Sequence, residues 1–260
     1  MRPERRSQLL LGVTRSKAKM YEYDVPEEHH IKIKQDPAKL FTLAIGLLGD
    51  LSARINSEDI NEAYLKELRE TLLFSARFFD AYLESRLNHE YDPYLLLLGA
   101  ASYYLCNLPG SSLVLAKRLG EDCPDLECMG LENLLLWLLQ GDLFRYFDET
   151  EGLYGKYIDG ISQGLTHFFK YGSGQESLFE KTANLRRTVY DNGTPRQLLF
   201  GDIICAVVKR RFENSTWHCL PQYSDLSTAQ WMDTLQKEAF IRELWPAQHL
   251  LGEQGVFRGK

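Results

Sequence analysis

The residues best suited to chemistry in this sequence are its cysteines, its histidines and two clusters of acids. A structural zinc ion needs four cysteine or histidine ligands at matched spacings. Cys123 and Cys128 are five residues apart, and the pair at 218–219, a histidine and a cysteine, lies far away with no second cysteine pair to complete the set. The sequence therefore predicts no zinc site, and its five scattered cysteines are expected to be free and mostly buried thiols.

The two acidic clusters resemble parts of catalytic sites, but neither has the surroundings that the chemistry needs. Asp125 and Glu127 lack the strand and lysine of a metal-dependent nuclease, and we expect them in the first turn of a helix near residue 125. The run Asp148–Glu151 resembles the magnesium-holding box of helicases, yet no Gly-x-x-x-x-Gly-Lys-[Ser/Thr] loop occurs in the 260 residues. No Gly-x-Ser-x-Gly elbow is present either. This chain alone is therefore not expected to hydrolyse ATP or to be an enzyme.

Two basic runs stand out in a chain whose formal net charge is -6. That charge excludes a chain-wide nucleic-acid-binding surface but leaves room for local contacts. One interpretation of the amino-terminal run is a solvated tail, and the other is an arm that neutralises nucleic-acid phosphates. The second run, at residues 209–211, lies at the end of a predicted helix. It is expected either to contact phosphates or to stabilise the negative end of that helix's dipole. The candidate phosphate contacts are Arg5, Arg6, Arg15, Lys17, Lys19, Lys209, Arg210 and Arg211.

The overall composition is that of a folded, non-membrane protein. Hydrophobic residues make up 44% and charged residues 25% of the chain, which is an ordinary globular balance. The apolar run at 9–13 is too short for a signal peptide, and no window reaches the ~20 apolar residues of a membrane helix. We therefore expect a cytoplasmic protein with no membrane partner.

Helix start signals recur along the chain, and apolar residues follow helical spacing between them. Asp36–Pro37, Asp92–Pro93 and Thr194–Pro195 each place a capping side chain before a proline at the first helical position. Strand-like alternation is rare. The pattern predicts an all-α fold with helices near 37–55, 57–89, 93–107, 111–119, 125–140, 142–170, 175–190, 195–213 and 227–243, and a short helix after residue 246.

The predicted helices group into stacked pairs around a core. Residues 94–105 and 134–139 are apolar on all sides, which is typical of fully buried helices, and small residues at 99–101 would let a neighbour come close. We expect an irregular bundle of stacked helix pairs. Three segments are predicted: a basic and polar arm at 1–35, a helical domain at 36–225 and a lead-in segment at 226–260.

The last segment carries the most specific sequence pattern. Leu244, Trp245 and Pro246 are followed by Gln248, a short helix and the glycine-containing stretch 255–260. This order resembles the entry to the first motor domain of superfamily 2 helicases, in particular the DEAD/DEAH and Ski2-like groups, whose Q motif pairs a proline with a glutamine. Alternatively, Trp245 and Pro246 start one more core helix and Gln248 is a solvated side chain.

The resemblance implies roles that the residues alone do not. Gln248 would read the adenine of ATP, because an amide donates and accepts at the same time, and Trp245 and Pro246 would shape the pocket. The chain would end at the start of a truncated RecA-like motor domain, with ATP and Mg²⁺ bound by the longer parent and no cofactor bound by this part. Residues 255–260 are then expected to be exposed or poorly packed.

The helical leader, with its aromatic helix at 74–82 and helix pair at 95–119, is also similar to helicases of bacterial antiphage defence systems such as the Hachiman helicase. That similarity implies an accessory region of an ATP-dependent helicase. Such a region positions nucleic acid or docks an effector, for example a nuclease subunit. The alternative function is a free-standing helical adapter that binds another protein through grooves between helix pairs.

Overall fold

The computed structural model describes residues 20, 23–29, 37–57, 62–84, 92–142, 152–236 and 242–258. Within these ranges the chain forms eleven α-helices and no β-strand, apart from one isolated bridge between Ser215 and Glu243. The all-α prediction is confirmed. In the same ranges no helix combines the length and the apolar character needed to cross a membrane. The chain divides into two compact units, Met1–Leu126 and Glu127–Lys260, so the sequence-based boundary at 225/226 falls within the second unit.

The first unit contains helices α1 (Pro37–Ile55), α2 (Glu62–Glu84), α3 (Asp92–Leu105) and α4 (Pro109–Lys117). Apolar side chains at three- and four-residue spacing on α2, among them Leu65, Leu68 and Leu72, are buried. Helix α3 is buried along most of its length between α2 and α4. Gly99 explains the close approach, because a Cβ there would lie 3.1 Å from Leu115 Cδ1 on α4 and 3.4 Å from Phe79 Cβ on α2.

The second unit contains seven helices in the described residues: α5 (Leu131–Gln140), α6 (Gly155–Tyr171), α7 (Gln175–Asn192), α8 (Pro195–Asn214), α9 (Thr216–Tyr223), α10 (Thr228–Leu235) and α11 (Pro246–Glu253). Helix α8 is central, since α5, α7 and α9 all pack on it. It begins with a capping box: Gln197 N–H donates to Thr194 Oγ1 at 3.3 Å, and Thr194 N–H donates to Gln197 Oε1 at 3.0 Å.

The predicted helix at 125–140 is wrong in its first turn. Residues 125–130 form a loop, and α5 begins at Leu131. Glu127, Met129 and Gly130 adopt positive φ values of 61°, 55° and 88°, which a right-handed helix cannot contain. Asp125 and Glu127 are exposed in this loop, so they do not act as the acids of a helix start.

Two other predicted helices are too long. The one predicted at 142–170 is broken at Gly152, which adopts a positive φ, and α6 begins after it at Gly155. The acidic run Asp148–Glu151 lies outside the described residues. The helix predicted at 227–243 ends at Leu235 in α10, and Glu243 instead forms the bridge with Ser215. Helix α9 was not predicted; Ser215 caps it by accepting a hydrogen bond from His218 N–H at 3.2 Å, and it contains Pro221.

A candidate interaction surface on the last helix

Of the two basic runs predicted from the sequence, the structure describes the second, at residues 209–211. Arg5, Arg6, Arg15, Lys17 and Lys19 lie outside the described residues. Lys209 and Arg210 are half-buried at the end of α8, and Arg210 pairs with Glu213 one turn later at 2.8 Å. Arg211 is buried; it donates hydrogen bonds to the Glu243 carboxylate and to the Leu138 carbonyl oxygen of α5. A phosphate contact by Arg211 would require this buried ion pair to open.

The ion pair of Arg211 with Glu243 also fixes the segment that leads into α11. Two backbone hydrogen bonds support it: Thr216 N–H donates to Arg242 O at 2.9 Å, and Leu244 N–H donates to Asn214 O at 2.8 Å. Leu244 is buried. This short antiparallel contact holds residues 242–244, which directly precede α11, against the junction of α8 and α9.

The three residues implicated by the helicase resemblance lie together at the start of α11. Trp245 precedes the helix in an extended conformation, and Pro246 occupies its first position. Gln248 Oε1 accepts a hydrogen bond from Trp245 N–H at 2.7 Å, which is one half of a capping box. The Trp245 side chain is 47% exposed. The carbonyl oxygen of Gln248 therefore serves the helix cap here, and its role toward adenine stays a prediction.

The inner side of α11 packs on Tyr223 of α9. Gly252 lies against the phenol ring so closely that a Cβ at this position would be 2.5 Å from Tyr223 Cγ. One turn earlier, His249 Nδ1 is 3.0 Å from Tyr223 Oη, and the two rings meet edge to face. Burial lowers the pKa of His249, and the nearby positive charge of Arg210 lowers it further. The neutral imidazole is therefore the form that this contact holds.

The outer side of α11 is apolar and exposed, which reverses the usual arrangement of a surface helix. We define the outer face of α11 as Ala247, Leu250 and Leu251, which recur at three- and four-residue spacing. Ala247 is exposed, and the Leu250 and Leu251 side chains are 57% and 46% exposed. Large side chains exposed together on one helix face are typical of binding surfaces rather than of a bare monomer surface.

The residues after α11 form a short turn with one exposed apolar side chain. Gly255, at a φ of 81°, turns the chain into a 3₁₀ turn at Val256–Arg258. Val256 is exposed, whereas Phe257 is half-buried with its ring centroid 6.4 Å from that of Tyr223. Within 255–260 the predicted exposure therefore holds for Val256 and Arg258, while Gly255 is buried and residues 259–260 lie outside the described part.

Charged side chains lie at the end of α11 and beside the 3₁₀ turn that follows it. Glu253 is exposed at the end of α11, and Asp225 is exposed beside the 3₁₀ turn. The one basic side chain described in this turn, Arg258, lies 3.5 Å from Asp225 and donates to Gln222 O at 3.0 Å. Because Asp225 is paired with Arg258, this edge consists of Glu253 and one ion pair, which is not the cluster of basic side chains that attracts phosphate-rich partners such as nucleic acid.

Metal ligands and cysteine thiols are the other groups in this sequence that could carry chemistry. No three His, Cys, Asp or Glu residues there are grouped so that they could hold a metal ion. None of the five cysteines forms a disulfide, and burial raises the pKa of Cys205 and of Cys219 to about 12, so these two thiols are poor nucleophiles.

Sequence reasoning singled out Trp245, Pro246 and Gln248 but not the neighbouring leucines. The spacing of Ala247, Leu250 and Leu251 was visible in the sequence. It would ordinarily predict a face turned toward the core, and only the contact of Gly252 and His249 with Tyr223 shows that this face is turned outward. Comparison with protein-family models, with curated proteins and with solved structures finds no match for this chain.

Proposed function

We propose that this chain is a helical protein-interaction module and that a partner protein docks on the outer face of α11. The observation that carries the proposal is the reversed orientation of this helix: its glycine and histidine face the protein, and its leucines face solvent. Burying such side chains against a partner is the dominant favourable term in protein association.

The charges around the surface favour a protein as the partner. At the end of α11 lie Glu253 and, beside the 3₁₀ turn, the ion pair of Asp225 with Arg258; they do not form the cluster of basic side chains that nucleic acid or anionic lipid would require. A protein surface can bury the leucines and place polar groups or the positive end of a helix dipole opposite Glu253.

The surface is also preorganised. Residues 242–244 are held by backbone hydrogen bonds and by the ion pair of Glu243 with Arg211, and α11 is held by Tyr223. A helix held at its start and along its inner side loses little conformational freedom when a partner binds, so more of the contact energy appears as affinity.

Site-specific cross-linking tests this function. A photoreactive amino acid at position 250, in the cells that make the protein, is expected to give a discrete cross-linked species. Adding Leu251→Glu should abolish it, because a charge would be buried in the contact. The matched control is position 114 on α4, where the valine is 65% exposed. Equal cross-linking at positions 114 and 250, or none at 250, contradicts the proposal.

A second candidate is that the docked protein is a RecA-like motor domain and that the chain is an accessory region of an ATP-dependent helicase. The resemblance of residues 244–260 supports it, as does the position of Trp245, Pro246 and Gln248 directly beside the outer face of α11. The motor would hold ATP and Mg²⁺, and the assembly would engage nucleic acid and a nuclease effector in the cytoplasm.

The identity of the protein cross-linked at position 250 distinguishes this candidate. A RecA-like ATPase supports it, and its ATP binding should weaken when Gln248 is replaced by alanine but not when the exposed Gln254 is replaced. A partner without a nucleotide-binding domain contradicts it.

A further inference from the structure

We infer that the partner of this surface is a second copy of the same chain, with the two α11 helices packed antiparallel about a two-fold axis. The inference rests on the proposed function, because it names the occupant of the same surface. In a two-fold contact the same patch is used by both copies, so the patch must be complementary to itself.

The outer face of α11 meets that requirement in its side chains. Ala247, Leu250 and Leu251 carry no charge, so no like charges are brought together when the face meets itself. The two leucines lie in the second half of an eight-residue helix. Antiparallel packing about an axis near them places the leucines of the two copies against each other, and it places the small Ala247 toward the end of the other helix.

The charge distribution along α11 favours the antiparallel arrangement. Glu253 lies in the last turn, which contains no basic residue, and the first turn contains no acid. In its own helix this carboxylate lies at the negative end of the dipole, where it is unfavourable. In an antiparallel pair it lies toward the positive, amino-terminal end of the partner's helix. A parallel pair would instead bring the two Glu253 carboxylates close together.

The size of the surface predicts a weak, reversible dimer. Trp245 and Val256, which flank α11 at its two ends, are each 47% exposed. Even a contact that includes both involves about five residues per copy, fewer than the roughly 20–30 residues per side of a standard interface. We expect a dissociation constant on the order of 10⁻⁵ to 10⁻⁴ M.

Analytical ultracentrifugation of the full chain, from low micromolar to near-millimolar concentration, tests the inference. The wild-type protein should show a monomer–dimer equilibrium. Leu250→Glu should weaken association at least tenfold, and Val114→Glu, the matched exposed control, should not change it. Glu253→Lys should weaken association severalfold although lysine suits the end of α11 itself, which a change in helix stability alone would not produce. Circular dichroism verifies that each variant is folded, and Ala247→Glu replaces Leu250→Glu if it is not.

Each outcome decides the inference. A wild-type chain that stays monomeric throughout, or a Leu250→Glu chain that dimerises like the wild type, overturns it. A monomeric chain that still cross-links through position 250 to another protein overturns the inference but leaves the proposed function standing. A monomeric chain with no cross-link at position 250 contradicts both.

Discussion

At the scale of single residues, Arg211 links three separate parts of the second unit, although its sequence pattern indicated only a phosphate contact or a charge at a helix end. Its guanidinium is buried and donates to Glu243 and to the Leu138 carbonyl. It therefore connects α5, the end of α8 and the segment before α11. A buried charge is tolerated only when it is paired and hydrogen-bonded, because removing it from water is costly.

Replacing Arg211 by methionine should lower the free energy of unfolding by roughly 3–5 kcal/mol, since Glu243 is left buried without its counter-charge. Urea unfolding followed by circular dichroism measures this. The double variant Arg211→Met, Glu243→Leu should recover much of the loss, because neither charge remains. The matched control is Arg210→Met, whose partner Glu213 is more exposed, so the expected loss is at most about 1 kcal/mol. A double variant no more stable than Arg211→Met would contradict this account.

At the scale of elements, the attachment of α11 depends on the protonation of His249. Tyr223, Arg210 and Glu253 are the titratable groups that act on it. Burial, with Arg210 second, lowers the pKa of His249 below its usual value, so the folded state favours the neutral ring. This contribution to stability is fully present above about pH 6.5, the pKa of the unfolded chain, and declines as pH falls below that value toward the lowered pKa.

Amide hydrogen exchange in α11 should therefore speed up between about pH 7.5 and 5.5, after correction for intrinsic rates, while exchange in α8 changes little. His249→Gln should remove the pH dependence because glutamine does not titrate. His167→Gln, at an exposed histidine of α6, should leave it intact. If His249→Gln retains the wild-type pH dependence, another group controls α11.

Helix boundaries that are set by neighbouring residues could be predicted from the sequence, whereas those that depend on the tertiary structure could not. The starts of α1 and α8 coincide with Pro37 and with Thr194–Pro195, because caps and first-turn prolines act within a few residues. The loop at 125–130 depends on non-glycine residues at positive φ, for which composition gives no signal. Helix α9 contains Pro221, which reads as a helix stop although the structure accommodates it.

The sequence predicted which types of residue form the candidate site, but not the direction in which they face. The sequence showed an apolar stripe on α11 and a proline that starts the helix. It did not show that Gly252 is where α11 contacts Tyr223, since that contact joins residues almost thirty positions apart. The direction in which a helix faces is a tertiary property, and periodicity gives the stripe but not its neighbour.

At the scale of the whole molecule, the second unit has a hydrophobic core of its own, and its first residue is hydrogen-bonded within the unit. Its largest fully buried side chains include Trp137 of α5, Phe169 of α6 and Phe200 of α8. Glu127 is the first residue of this unit, and α8 holds it in place: Gln197 Nε2 donates to the Glu127 carbonyl oxygen at 3.1 Å. The same glutamine accepts a hydrogen bond from Tyr154 Oη at 3.1 Å. A domain of this length can bury enough surface to fold by itself.

A shortened chain, residues 122–260, should therefore fold and unfold cooperatively, with a helical spectrum and a single urea transition. A chain that begins at residue 145 is the informative control, because it lacks α5 and with it Trp137 and the Leu138 carbonyl that Arg211 binds. The remaining helices would leave one side of α8 uncovered and a buried guanidinium short of an acceptor, so this shorter chain should unfold without a cooperative transition. If both shortened chains unfold cooperatively, α5 is dispensable; if neither does, the unit needs residues before 122.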